Sequence, residues 1–61
     1  MPMTSREMIS LLQKNGFVIV SQNGSHVKMR NTSSGKQAII PNHGELKKGL
    51  EQAILKQAGL K

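Results

Sequence analysis

The sequence of 61 residues contains no cysteine, so disulfide bonds cannot stabilise the chain and a zinc site built from thiolates is excluded. Potential metal ligands are scarce, since there are two histidines and three acidic residues, Glu7, Glu45 and Glu51. We therefore expect no metal ion and no cofactor. No apolar run is long enough to span a membrane, and segment 1–4 does not resemble a signal peptide. Together with the absence of cysteine, this predicts a soluble cytoplasmic protein that does not engage membranes.

Aromatic and acidic residues are also rare. Phe17 is the single aromatic residue, which argues against nucleic-acid binding by stacking of bases on an aromatic platform. Nine Lys and Arg residues against three acids give a formal net charge of +6. In so short a chain this charge favours polyanions through electrostatic steering and counterion release. Nucleic acid is therefore the first partner to consider, and the alternative is a basic protein that its charge merely keeps soluble.

A first helix is predicted over about residues 5–15. Thr4 and Glu7 have the spacing of a capping box, in which each side chain bonds the backbone N–H of the other residue. Gly16 can adopt the left-handed conformation that ends a helix. The apolar residues at helical spacing are Met8, Leu11 and Leu12.

Three strands are predicted next, joined by two hairpin loops. The first strand is a β-branched and aromatic run over 17–20. The second is the run around His26, and the third covers residues 36–40 and is closed by Pro41. Residues 22–24 contain Asn-Gly, a strong hairpin signal, and the polar residues 31–35 form the second loop. The strands therefore form a three-stranded antiparallel meander.

The last third of the chain is predicted to be a helix that begins near Lys48 and ends at Gly59. Its apolar stripe consists of Leu46, Leu50, Ala53, Ile54 and Ala58, and Leu60 is placed to pack back. The expected fold is α+β in the order α-β-β-β-α, as one domain over residues 1–61. Both helices can cover one face of the sheet and leave the other face open.

The segment from Gly24 to Arg30 is the most informative part of the chain. Successive side chains of a strand point to opposite faces, so His26, Lys28 and Arg30 share the open face. The spacing of about 6–7 Å between them is close to that of phosphates along a nucleic-acid strand. The segment places a group that exchanges protons near neutral pH beside groups that bind phosphate. The alternative interpretation is an ordinary solvated face of a strand.

Several segments of the chain occur in an order that matches a known family. They are Asn15-Gly16-Phe17, Gly24-Ser25-His26-Val27-Lys28-Met29, Ile40-Pro41-Asn42-His43, Glu45-Leu46-Lys47-Lys48-Gly49-Leu50 and Ile54-Leu55-Lys56-Gln57-Ala58-Gly59-Leu60. With them the chain resembles, over nearly its whole length, the HicA (YcfA-like) family of bacterial toxin ribonucleases. The resemblance implies a fold similar to a double-stranded-RNA-binding domain.

The resemblance also implies a function. Members are mRNA interferases, endoribonucleases that block translation by cutting mRNA, and the single catalytic histidine of the family falls on His26. The glycine that precedes this histidine in the family falls on Gly24. A cognate HicB-type antitoxin is implied as partner, in a hetero-oligomeric complex that covers the histidine.

Metal-free RNA cleavage uses the ribose 2′-hydroxyl as the nucleophile on the adjacent phosphate. His26 is the expected base, or alternates as acid and base. Lys28 and Arg30 are expected to hold phosphates, and Gly24 and Ser25 to bring backbone N–H groups close to the RNA.

Three further residues have two interpretations each. Lys47 and Lys48 near a helix start either hold RNA phosphate or face solvent. His43 either braces a turn or acts as an accessory general acid. The group that protonates the leaving 5′-oxygen stays open among His26, His43, Lys28 and water.

Two alternative functions stay open as well. The chain is either a non-catalytic RNA-binding module or a co-repressor subunit of an antitoxin complex.

Overall fold

The computed structural model describes residues 3–42 and 44–60. In chain order the elements are α1 (Ser5–Lys14), β1 (Phe17–Asn23), β2 (His26–Asn31), β3 (Gln37–Pro41) and α2 (Lys48–Gln57). The strands pair antiparallel in the order β1-β2-β3. The α-β-β-β-α order, the meander and the likeness to a double-stranded-RNA-binding domain are confirmed.

Helix α1 begins at the capping box that the sequence predicts. The Thr4 N–H donates to Glu7 Oε1 at 2.9 Å, and the Glu7 N–H donates to Thr4 Oγ1 at 3.1 Å. Two hydrogen bonds to Thr4 lower the pKa of the Glu7 carboxyl: the bond with the Thr4 backbone has the larger effect, and the bond with the Thr4 side chain the smaller one. At the other end of the helix, Gly16 has a φ of +90°, the conformation predicted for it.

The hydrophobic core lies between the helices and one face of the sheet. Its buried members are Met8 and Leu12 from α1, Phe17, Val27, Met29, Ala38 and Ile40 from the strands, and Leu46, Ile54 and Ala58 from the last third. Met3, Ile9, Leu11 and Leu55 pack against this cluster while keeping some exposure. The core occupies one side of the sheet, so the opposite face is left open as predicted.

The strand boundaries differ from those predicted. Strand β1 continues to Asn23, and the connection to β2 is the two-residue turn Gly24-Ser25 instead of 22–24. Strand β3 includes Pro41, which pairs with His26. A proline fits there because the pairing of residue 41 with His26 uses no N–H from residue 41. The hydrogen bond next to this pair comes from the Asn42 N–H, which donates to the Ser25 carbonyl at 2.5 Å.

The predicted apolar stripe of the last helix is partly wrong. Leu46 is buried, but it precedes α2, which begins at Lys48, so helical periodicity does not govern its direction. Leu50 is 40% exposed and Leu60 39% exposed, so neither joins the core. Ala53 is exposed as well.

Ser5 joins the start of α1 to the segment that follows β3. Its side chain is buried, and the hydroxyl lies 2.6 Å from the Pro41 carbonyl oxygen and 3.0 Å from that of Gly44. The Ser5 N–H donates to the Gly44 carbonyl at 2.7 Å, and the Leu46 N–H donates to the Met3 carbonyl at 2.8 Å. These bonds fix the loop between the sheet and α2 against the first helix.

Candidate functional site on the open face

Strand β2 divides its side chains between the two faces of the sheet as the sequence predicts. Val27 and Met29 are buried at 2% and 0% exposure, while His26, Lys28 and Arg30 are exposed. The alternation puts an imidazole and two cations on the open face, in one line along the central strand. Since β2 is the central strand, hydrogen bonds on both sides fix the backbone that presents these groups.

His26 is the first residue of β2, directly after the hairpin turn. It pairs with Asn23 on β1 and with Pro41 on β3. Gly24 takes a φ of +62°, which a side chain would strain, and an added Cβ there would meet nothing within 4 Å. Gly24 is therefore required by the turn and leaves open space above the chain next to His26.

An open depression of about 340 Å³ brings part of the predicted site together. Its lining residues are Ser21, Asn23, His26, Lys28 and Ile39. His26 and Lys28 were predicted to act together. Ser21, Asn23 and Ile39 were not predicted, although residues of neighbouring strands must stand beside them on this face. Arg30 shares the face but does not line the depression.

The open face carries no carboxylate. None of the three acidic residues of the chain lies in a strand: Glu7 is in α1, Glu51 in α2 and Glu45 in the loop before α2. The cations at 28 and 30 are therefore not neutralised by an acid on their own sheet, and the local potential favours a polyanion.

Lys47 and Lys48 lie at the start of α2, where Lys47 is the N-cap residue without a side-chain capping bond. Both are exposed, and neither lines the depression that contains His26. Their predicted role in holding phosphate remains a prediction. His43 lies outside the described residues.

The described residues contain neither a candidate metal site nor a helix that could span a membrane. Among residues 3–42 and 44–60, no three histidine or acidic side chains lie close enough together to hold a metal ion. No helix in this part of the chain is long and apolar enough to cross a membrane.

On the open face, an imidazole can exchange a proton and an ammonium group can bind an anion, which together suit chemistry on a phosphodiester.

Comparisons with known proteins give one consistent picture. Residues 5–60 match the family model for the HicA toxin of bacterial toxin-antitoxin systems. A probable mRNA interferase HicA from Pseudomonas fluorescens is 38% identical over 52 residues, which cover 82% of this chain and 83% of that protein. A solved toxin-antitoxin complex from Streptococcus pneumoniae contains a chain that is 43% identical, with a TM-score of 0.81. That match covers 97% of this chain and 100% of the other.

Proposed function

The chain belongs to the HicA toxin family of bacterial toxin-antitoxin systems, and from this premise we propose that it is an mRNA interferase that cuts RNA with His26. The observation that carries the proposal is the placement of His26 and Lys28 in one depression on a cation-lined, acid-free sheet face. The probable mRNA interferase from Pseudomonas fluorescens supports the activity at the level of its name. Because mRNA is the proposed substrate, the proposed place of action is the bacterial cytoplasm.

In the proposed reaction the ribose 2′-oxygen attacks the adjacent phosphorus, and the bond from phosphorus to the 5′-oxygen breaks. His26 takes the proton of the 2′-hydroxyl, a task that suits a neutral imidazole at physiological pH. Lys28 stabilises the charge that grows on the phosphoryl oxygens, and Arg30 binds a phosphate further along the strand. The products are a 2′,3′-cyclic phosphate and a 5′-hydroxyl. The proton for the leaving oxygen comes from His26, Lys28, His43 or water.

The turn before His26 supports close approach of the RNA. Gly24 has no side chain, and among the described residues, its two chain neighbours apart, none lies within 4 Å of the position that a Cβ would occupy. Gly24 and Ser25 are therefore proposed to offer backbone N–H groups to phosphate oxygens. Lys47 and Lys48 are proposed to hold RNA phosphate outside this depression.

The experiment that tests the function compares purified protein with its His26→Ala variant on a long mRNA in excess EDTA. We expect the variant to lose cleavage by about 10²–10⁴-fold, the usual contribution of a general base. Ser10→Ala is the control, since Ser10 is an exposed residue of α1 and lies outside the proposed site. His43→Ala is measured separately, and its rate tests whether His43 supplies the leaving-group proton.

Three results would overturn the proposal. Equal cleavage by the wild type and His26→Ala would remove His26 from the reaction. Products with 3′-hydroxyl ends would exclude attack by the 2′-hydroxyl. Binding of RNA by both proteins without cleavage by either would favour a non-catalytic RNA-binding module.

A HicB-type antitoxin that covers His26 is the proposed partner, in a hetero-oligomeric complex. The similar chain from Streptococcus pneumoniae comes from a toxin-antitoxin complex, which supports an antitoxin as the class of partner. We expect His26→Ala to retain the complex while losing toxicity, because the change removes the reacting group and leaves the face intact. Co-purification of the two proteins measures this. A variant that loses the complex and toxicity together would favour a co-repressor role in which the histidine serves assembly.

A further inference from the structure

Strand β1 contains a β-bulge that changes which of its residues face the site. Ile19 pairs with Met29, and the next residue of β2, Lys28, pairs with Ser21, so Val20 is the extra residue of the bulge. In a regular ladder Val20 would stand opposite Lys28 and Ser21 would point to the helix side. The bulge therefore moves Ser21 onto the open face.

The change of direction continues to the end of the strand. Gln22 pairs with Val27, whose side chain is buried on the helix side, and Asn23 pairs with His26. Directly paired residues share a face, with their Cβ atoms about 4.5–5.5 Å apart. Ser21 therefore stands beside Lys28 and Asn23 beside His26, and both line the depression. Gln22, between them, belongs to the other face.

The composition of the face sets what a bound nucleotide can contact. Phe17, the single residue of the Phe, Tyr and Trp class, is 2% exposed, so a base cannot stack on a side chain of that class. Ile39 pairs with Lys28 from the other side and is 46% exposed, which gives the depression an apolar wall. The Asn23 amide supplies both a donor and an acceptor, and the Ser21 hydroxyl supplies another of each. An apolar wall with a few convergent polar groups is the usual composition of a ligand-binding pocket.

We propose that Ser21 and Asn23 contact the nucleotide next to the scissile phosphate, and that the bulge at Val20 places them there. This inference rests on the proposed function, because it assigns residues to the same RNA site. The contacts are hydrogen bonds to the base edge, with Ile39 packed against the apolar part of the nucleotide. Ser21 and Asn23 would thereby influence which RNA sequence is cut.

The test uses Ser21→Ala and Asn23→Ala, with Gln22→Ala as the matched control on the opposite face of the same strand. Affinity is measured by fluorescence anisotropy with a labelled 2′-O-methyl RNA of mixed sequence, which cannot be cut by 2′-hydroxyl attack. Cleavage is measured in parallel on the mRNA substrate. We expect the changes at 21 and 23 each to weaken binding by about 3- to 10-fold, the effect of one lost hydrogen bond. Gln22→Ala should bind and cut like the wild type.

The outcomes separate this inference from the proposed function. If His26→Ala abolishes cleavage while the changes at 21 and 23 leave binding and cleavage intact, the function stands and the inference is overturned. If the alternating pattern appears in binding while the wild type does not cut, Ser21 and Asn23 contact RNA as inferred, and the ribonuclease function is overturned. If Gln22→Ala weakens RNA binding as much as the changes at 21 and 23, the assignment of Gln22 to the opposite face is refuted. If the wild type does not bind RNA, both the inference and the proposed function are overturned.

Discussion

Replacement of Ser5 by alanine should destabilise the fold through one buried carbonyl. The Ser5 hydroxyl has a single proton, and its shorter contact is with the Pro41 carbonyl oxygen, at 2.6 Å. The Gly44 carbonyl keeps a donor in the variant, because the Ser5 backbone N–H bonds it at 2.7 Å. The carbonyl of the buried residue Pro41 loses the Ser5 hydroxyl as its hydrogen-bond donor. The cost of leaving a buried acceptor unpaired therefore falls on that carbonyl.

The size of the effect follows from these contacts. Leaving a buried acceptor unpaired costs about 1–3 kcal/mol. The better helix propensity of alanine returns at most about 0.7 kcal/mol, so the net loss in the free energy of unfolding is about 0.3–3 kcal/mol. For a domain of this size each kcal/mol lost lowers Tm by about 4–8 °C. Thermal unfolding followed by circular dichroism measures it, and urea titration gives the free energy directly.

Ser10→Ala is the control for this prediction. Ser10 lies in α1 as well, but its side chain is exposed, so the change should leave stability equal or slightly higher. If Ser5→Ala and Ser10→Ala unfold at the same temperature, the bond to the Pro41 carbonyl contributes nothing and the reasoning is refuted.

Two further predictions concern charge. Lys28→Ala and Arg30→Ala should each make the plot of log affinity for single-stranded RNA against log salt concentration less steep by about 0.7, the value for one phosphate contact. An unchanged slope would contradict phosphate binding. Lys14→Ala, at the end of α1, is the control. The pKa of the Glu7 carboxyl is lowered in the folded protein from its ordinary value of 4.5. The ionised carboxylate therefore stabilises the fold at pH values above 4.5, neutral pH included. This contribution disappears as the pH falls through the folded pKa. Urea titrations should therefore show the stability deficit of Glu7→Ala relative to the wild type shrinking from neutral pH to acid. A deficit of the same size at both would rule out this linkage.

Local signals in the sequence predicted much of the fold and the direction of β2. The capping box of α1 and the alternation of His26 with Val27 act within a few residues, so they can be interpreted without tertiary contacts. The placement of His26 and Lys28 in one depression follows from the same alternation.

The features that sequence reasoning missed depend on distant partners. Nothing in the uniformly β-branched run around Val20 marks it as a bulge, because the bulge is defined by its pairing with β2. Ser5 resembles any helix-start serine until its bond to Pro41, 36 positions away, is seen. The exposure of Leu50 depends on how α2 docks on the sheet, which helical periodicity does not specify.

The one-residue alternation along β2 has an evolutionary consequence. Positions 26, 28 and 30 meet solvent and the positions between them meet the core, so selection on the open face and selection on folding act on different side chains of one strand. Substitutions at exposed positions usually change stability by less than about 0.5 kcal/mol, whereas those in the core cost several times more. A chain this small has little stability to spare. The alternation gives it room to diversify the residues of the open face while the opposite face keeps the fold constant.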